Sequence, residues 1–452
     1  AGSIPANGSF LLERTDDTTI PAVAADQIYS GALGNDGEDL VLRDNTNAIV
    51  DQVDSSLGWF SGHNEARVPM VRVDPLAAGG SDNWTYNPRC GTPTNSAGVS
   101  YSCTLTTTVV GQELDYRVYF NELAPTATVT TTTITPKEGA LIALLESATT
   151  TIDFAMYGFN RQSIVDELIA AHGRGVQVRV VGDDEAATGE YQAFYQALVD
   201  AGITIAIDSS MSQIQHNKFV IVDDLVVWTG STNYTDTGFT LNANNSVIIT
   251  DATMAEIYGT EFAEMWAGSF HGAKLDNTAH LFDYNGTLVE SYFSPTDLPA
   301  FAVRDRLLNA QQSIHFAMFF WTDDVLTQAT IEQIGYGVEV WGLFDQLGAG
   351  NASSADEPLC AAGARIGIES SAGKLHHKFA VIDVFGADPV VILGSYNWTD
   401  SGAYDNDENT LIIHDAQLAQ AYYAEWQRQW SNVLPEDICN ARSIYLPIIT
   451  RP

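Results

Sequence analysis

His216-Asn217-Lys218-Phe219-Val220-Ile221-Val222-Asp223 returns further along the chain as His376-His377-Lys378-Phe379-Ala380-Val381-Ile382-Asp383. Each copy is a His, one residue, a Lys, four residues and an Asp. A Gly-Ser-x-Asn follows each, as Gly230-Ser231-Thr232-Asn233 and Gly394-Ser395-Tyr396-Asn397. Beyond these lies one more polar position per copy, Asn244 in the first and Glu408 in the second, and the second copy carries a short insertion between Asp383 and Gly394. Polar residues repeated in this order mark an internal duplication.

Residue parity gives the duplication a chemical meaning. In an extended strand His216 and Lys218 share one face and Asn217 takes the other. The run Phe219-Val220-Ile221-Val222 is apolar on both faces, as in a strand covered on both sides. An imidazole and an ammonium side by side suit a phosphodiester: Lys neutralises a non-bridging oxygen, and His attacks phosphorus or delivers a proton. Ser231, Asn233, Ser395 and Asn397 are expected to add donors to the same oxygens. One copy supplies half of such a site; two supply a nucleophile and a separate general acid.

The duplicated His-x-Lys-x4-Asp with Gly-Ser-x-Asn resembles the phospholipase D superfamily over roughly residues 130 to 435. The resemblance implies His216 as nucleophile, His376 as general acid, and a phosphohistidine intermediate. It implies that Lys218, Lys378, Asn233 and Asn397 hold the phosphoryl oxygens. Asp223 and Asp383 are expected to support the geometry around the histidines, and Glu408 matches an acidic position near the family's active site. No metal and no cofactor are required on this reading.

Composition limits the partners. The 452 residues carry a formal charge of −37, with 20 Lys plus Arg against 57 Asp plus Glu. Lysine occurs only at 137, 218, 274, 374 and 378, and two of these are the motif lysines. Such a surface stays soluble and repels polyanions. No apolar run is long enough to span a membrane, and a charged leader with an apolar core is absent, so any signal peptide is expected to have been removed or never to have been present. Four cysteines stand at 90, 103, 360 and 439. Cys90 and Cys103 flank one loop and offer a disulfide, although four cysteines allow three pairings. The even count fits an oxidising compartment, and an exported protein is expected.

Residues 1–125 read as an all-β sandwich of short apolar runs between Gly, Asn and Asp turns. They resemble the immunoglobulin-like lamin-tail domain in Ile4-Pro5-Ala6-Asn7-Gly8, Gly34 to Leu42, Ile49-Val50-Asp51-Gln52-Val53 and Gly91-Thr92-Pro93-Thr94-Asn95. The strand Val118-Tyr119-Phe120-Asn121-Glu122 belongs either to this domain, permuted, or to the junction. From Pro136 strands and helices alternate, giving two similar α/β halves at 126–275 and 276–436 and a tail at 437–452. Asp153-Phe154-Ala155-Met156 and His315-Phe316-Ala317-Met318 show the duplication outside the motifs.

Four further features have plainer readings. His315 and His377 are expected to be structural, and Asp183-Asp184-Glu185 a solvated loop. Phe319-Phe320-Trp321 is expected in the core, with a cleft wall as the other reading. A phosphodiester substrate is expected, with nucleic acid ahead of phospholipid: the wording Gly-Ser-Tyr-Asn-Trp-Thr followed by Asn-Asp-Glu-Asn resembles the nuclease-like branch, whereas the acidity favours a lipid. An inactive binding or structural protein is the third reading.

Overall fold

The computed structural model describes residues 12–14, 25–29, 39–43, 46–54, 70–72, 84–86, 107–121, 133–210, 212–370, 373–434 and 439. The chain divides into two units, Ala1–Thr106 and Thr107–Pro452. In the first unit β1 (Leu12–Arg14) pairs in parallel with β2 (Gln27–Tyr29). Two antiparallel pairs follow, β3 (Asp39–Arg43) with β4 (Ile49–Asp54) and β5 (Met70–Arg72) with β6 (Trp84–Tyr86). The β3–β4 pair falls on two of the lamin-tail-like stretches. The other two stretches, Cys90, Cys103 and the tail after Cys439 lie outside the described residues.

The second unit opens with β7 (Thr107–Val109) and β8 (Tyr116–Phe120). Its first half continues through α1 (Pro136–Ser147), β9 (Thr151–Ala155), α2 (Gln162–Gly173), β10 (Gln177–Gly182), α3 (Asp184–Thr188), α4 (Gln192–Asp200) and β11 (Thr204–Ile207). The motif strand β12 (Phe219–Val222), β13 (Val226–Gly230), α5 (Asp236–Thr240), β14 (Asn245–Thr250) and α6 (Ala252–Trp266) complete it. The second half runs β15 (Leu281–Tyr284), β16 (Thr287–Ser294), α7 (Pro299–Leu308), β17 (Ser313–Met318), α8 (Asp324–Gly335), β18 (Glu339–Asp345), α9 (Gln346–Ala349), α10 (Asp356–Ala362) and β19 (Arg365–Glu369). Its motif strand is β20 (Lys378–Ile382), followed by β21 (Val390–Gly394), α11 (Asp400–Tyr404), β22 (Glu408–Ile413) and α12 (Ala416–Trp430).

The halves build sheets of one plan, β11-β10-β9-β12-β13-β14-β8 and β19-β18-β17-β20-β21-β22-β16-β15-β7. In each, three parallel strands meet an antiparallel motif strand and the hairpin strand after it. Strand β8 corrects the expected boundary at 125: it pairs antiparallel with β14 and closes the first sheet's edge, so this unit begins near residue 107.

The double-sided apolar pattern of the motif strands has a direct cause. Phe219 and Ile221 enter a central core shared by both halves, as do Phe379 and Val381. Val220 and Val222 face an outer core under α1, α2 and α4, and Ala380 and Ile382 face its counterpart in the second half. Helix starts follow side-chain caps: Thr135 accepts from Glu138 N–H with Pro136 just inside α1, and Asp251 and Asp415 cap α6 and α12. Among the described residues no helix is long and apolar enough to cross a membrane.

Asp223 and Asp383 end the motif strands, away from the histidines, which corrects their expected place. Both adopt positive φ, 54° and 51°. Asp223 accepts from the backbone N–H groups of Thr149, Thr150 and Thr151 and from two Thr hydroxyls. Asp383 accepts from Gln311, Gln312 and Ser313 N–H at 2.7 to 2.9 Å. Each carboxylate fastens the turn entering β9 or β17. Asp223→Ala should therefore cost about 2–4 kcal/mol in urea unfolding. Burial works against the charge, but the bonds from Thr151, Thr149 and Thr150 prevail and hold this carboxyl well below the usual range. Its contribution is present above the ordinary Asp pKa and fades as pH falls.

Candidate active site

The halves meet at their motifs through reciprocal contacts. A residue of one half touching a residue of the other, with the equivalent pair reversed, is the mark of a two-fold relation. Gln215 bridges to Asp407, and Leu375 to Ala243. Asn409 Nδ2 donates to Asn217 Oδ1 at 2.9 Å, and His377 Nδ1 lies 3.2 Å from Asn245 Nδ2. His216 Nδ1 lies 2.7 Å from Glu408 Oε1, and His376 Nδ1 donates to Asn244 Oδ1 at 2.8 Å. Each catalytic candidate is thus oriented by the opposite half.

These contacts revise several assignments. Glu408 is fully buried and holds His216 from behind; it is not placed as a substrate contact. Ser231 and Ser395 are also fully buried. Ser231 Oγ donates to Asn244 Oδ1 at 2.9 Å, and Ser395 Oγ accepts from Asn409 N–H at 3.0 Å beside Glu408. Their hydroxyls fix the residues that fix the histidines and are not offered to a substrate. Asn233 and Asn397 are partly exposed, and their Oδ1 atoms have no hydrogen-bond partner among the described residues.

The backing of the two rings differs. Asn244 Nδ2 donates to Gly238 O, which turns its oxygen toward His376. That oxygen and Ser231 O are both acceptors, so His376 carries its proton on Nδ1 and turns Nε2 outward. His216 has a carboxylate behind it instead. Such a group stabilises positive charge on the ring.

The site is dry. His216 and His376 are 6 % and 5 % exposed, Lys218 and Lys378 0 % and 1 %. Burial, then the neighbouring lysines, pushes both imidazoles well below their usual pKa. Burial pushes Lys218 down to about 7 against the pull of Glu408, and Glu408 up to about 8 against the pull of Lys218. A phosphodiester anion placed among these groups restores the charged forms of the lysines and imidazoles that burial disfavours. Each ring is also walled by an aromatic side chain from the equivalent position: Tyr157 stands 5.1 Å from His216 and Phe319 4.8 Å from His376. Phe319 is thus a wall of the site, whereas Trp321 is core.

The lysine count held more than the motifs. All five surround this site. Lys137 donates to Thr232 Oγ1 inside the first Gly-Ser-x-Asn at 2.8 Å. Lys274 bonds Asp407, next to Glu408, at 2.8 Å, together with Glu261 and Ser294 O. Lys374 and Lys378 lie over the Phe319 ring at 5.3 and 5.0 Å. Asp183 departs from its expectation as a solvated residue. It is fully buried, caps α3, and accepts from Gln215 N–H at 3.1 Å, one residue before His216. Asp183, Asp184 and Asp208 bring one carboxyl oxygen each within 4.8 Å of the others. Those of Asp183 and Asp208 bond backbone N–H groups and His271. His377 is structural, bonded to Glu425 at 3.0 Å. His315 packs edge-on against Tyr423 and Trp426, away from the site.

With this geometry in view, residues 141–266 and 303–430, more than half of the chain, match the family described as "Cardiolipin synthase, PLD-like domain". The chain belongs to this phospholipase D-like family. A mitochondrial cardiolipin hydrolase from Xenopus tropicalis is 35 % identical over 129 residues, 28 % of this chain and 60 % of that protein. A phospholipase D from Rickettsia bellii is 27 % identical over 169 residues, 37 % of this chain and 82 % of the relative. The chain thus spans less than two thirds of the cardiolipin hydrolase it matches. Among solved structures, phosphatidylserine synthase from Haemophilus influenzae aligns with a TM-score of 0.50 at 14 % identity, over 66 % of this chain and 85 % of that one, a likeness of fold. The two matched ranges hold β9 to β14 of the first sheet and β17 to β22 of the second.

Proposed function

We propose that the chain is a phosphodiesterase working through a phosphohistidine, and the reciprocal His216–Glu408 and His376–Asn244 contacts carry this reading. His216 Nδ1 is occupied by Glu408, so Nε2 attacks phosphorus. The P–O bond to the leaving alcohol breaks as the N–P bond forms, and His376 passes a proton to the departing oxygen. Glu408 stabilises the positive charge that the phosphorylated ring acquires. Water then attacks phosphorus, gives its proton to His376, and releases His216. Lys218, Lys378, Asn233 and Asn397 hold the phosphoryl oxygens.

Nucleic acid and phospholipid are the two substrate classes. The second is favoured by relatives named cardiolipin hydrolase and phospholipase D. Release of acid from DNA, RNA and phosphatidylcholine vesicles, measured side by side, decides between them. No turnover of any phosphodiester would overturn the enzyme reading. Two lysines already supply the positive charge that a metal would bring, so turnover should survive EDTA. Loss on chelation with recovery on added divalent ion would contradict this. Export is part of the same proposal and is supported by the Cys360–Cys439 disulfide, which ties the residue after the last helices to α10.

A further inference from the structure

The two sides of the site are not equally charged. Two residues before His376 stands Lys374, and at the equivalent position before His216 stands Ile214. Lys374 is the one exposed lysine of the chain; the other four are buried. Its backbone is fixed by the opposite half, since its carbonyl accepts from Ala243 N–H at 2.8 Å and its N–H donates to Asn242 Oδ1 at 3.2 Å. Its ammonium shares the Phe319 ring with Lys378, and the same ring packs on His376. Among the described residues it makes no ion pair. A cation with only the more distant Asp345 opposite it is thus held at the rim of the His376 side, in a chain of charge −37.

We propose that Lys374 selects phosphodiesters whose leaving alcohol itself carries an anionic group, a second phosphate being the chemistry it fits. This rests on the reading above in which His376 protonates the leaving alcohol. In-line displacement puts the attacking and leaving groups on opposite sides of phosphorus, so the leaving group lies on the His376 side, beneath Lys374. A leaving alcohol with its own phosphate is attracted there, and a cationic alcohol such as choline is repelled. Ile214 supplies no such charge on the nucleophile side. The lowering of His376 by Lys374, which is not among the causes acting on His216, agrees with this side of the site.

The test compares substrates within one protein sample, so that the fraction folded cancels. Thymidylyl-thymidine is offered bare, with a 5′-terminal phosphate and with a 3′-terminal phosphate, and products identify the departing nucleoside. Vesicles of cardiolipin and of phosphatidylcholine form the lipid arm, and bis(4-nitrophenyl) phosphate reports the bare reaction. Wild type should show a kcat/KM about tenfold higher when the phosphate sits on the departing nucleoside than when it sits on the retained one. A preference for cardiolipin over phosphatidylcholine should run in the same sense. Lys374→Gln should erase most of either ratio, and Lys374→Arg should keep it. Activity in only one arm assigns the second phosphate to nucleotide or to lipid. Ratios unchanged in Lys374→Gln would overturn the proposal while leaving the enzyme intact. A wild type that cleaves none of these, bis(4-nitrophenyl) phosphate included, would overturn the phosphodiesterase reading and this proposal with it.

Discussion

His216→Ala should lower kcat by about four to six orders of magnitude and remove covalent phosphoryl labelling with it, since no other group forms the bond to phosphorus. Rapid quench with a 32P-labelled diester measures both. His376→Ala should behave differently. With an alkoxide leaving group the loss should reach about 10²- to 10⁴-fold. A nitrophenolate leaves without a proton, so labelling of His216 from that substrate should persist. The wild-type pH profile carries the same signature. A neutral His376, with its one proton held on Nδ1, has none on Nε2 to give, so turnover of alkyl esters should fall as pH rises through its pKa, and labelling by the nitrophenyl ester should not. Phosphohistidine trapped at His376, with none at His216, would reverse the assignment.

Lys274→Met should be among the most destabilising changes in the chain. Lys274 is 3 % exposed and sits between Glu261 and Asp407, 2 % and 0 % exposed. Removing it leaves buried Glu261 without its cation and Asp407 with His271 alone of its charged partners, a loss of about 3–5 kcal/mol, read from urea unfolding. The deficit should depend on pH. Burial already raises Glu261 to about 8 even with Lys274 pulling it down, so without the lysine Glu261 relaxes by taking up a proton. A group whose folded pKa is raised stabilises at low pH and loses that contribution as pH rises. The variant should therefore come closest to wild type in acid and fall furthest behind in alkali. A uniform deficit from pH 5 to 9 would contradict the account.

Much of this was legible in the sequence because strands write their pattern locally. Parity placed His216 and Lys218 on one side of Asn217, and the structure sends Asn217 to Asn409 on the other. Helices α1 and α7 open on Pro136 and Pro299, residues whose fixed φ suits the first helical turn and which mark those starts locally. Pairings between residues far apart in the chain were not readable. Glu408 and His216 are 192 positions apart, and neither carries a local mark of the other. Ser231 and Ser395 looked like ligand donors because a hydroxyl in a Gly-Ser-x-Asn turn suits either role; only their burial decides. Asp183 followed a strand and a glycine like any surface acid; its cap on Ala186 N–H is local, but the bond it accepts from Gln215 N–H depends on the fold. The scarce lysines were the signal that carried furthest, since a −37 chain has few reasons to keep a cation in its interior.

The crossed backing of the histidines makes the two halves non-interchangeable parts of one catalyst. A fragment holding only the first half, pairing with its own copy, would set each His216 against an Asn244 and leave the lysines with no glutamate between them. The second half paired with itself would give each His376 a Glu408 and crowd two acids into one dry site. Neither homodimer restores the mixed arrangement, and only the two different fragments together do. Complementation between separately expressed halves is therefore selective, and the duplicated gene segments have specialised past the point at which either can replace the other.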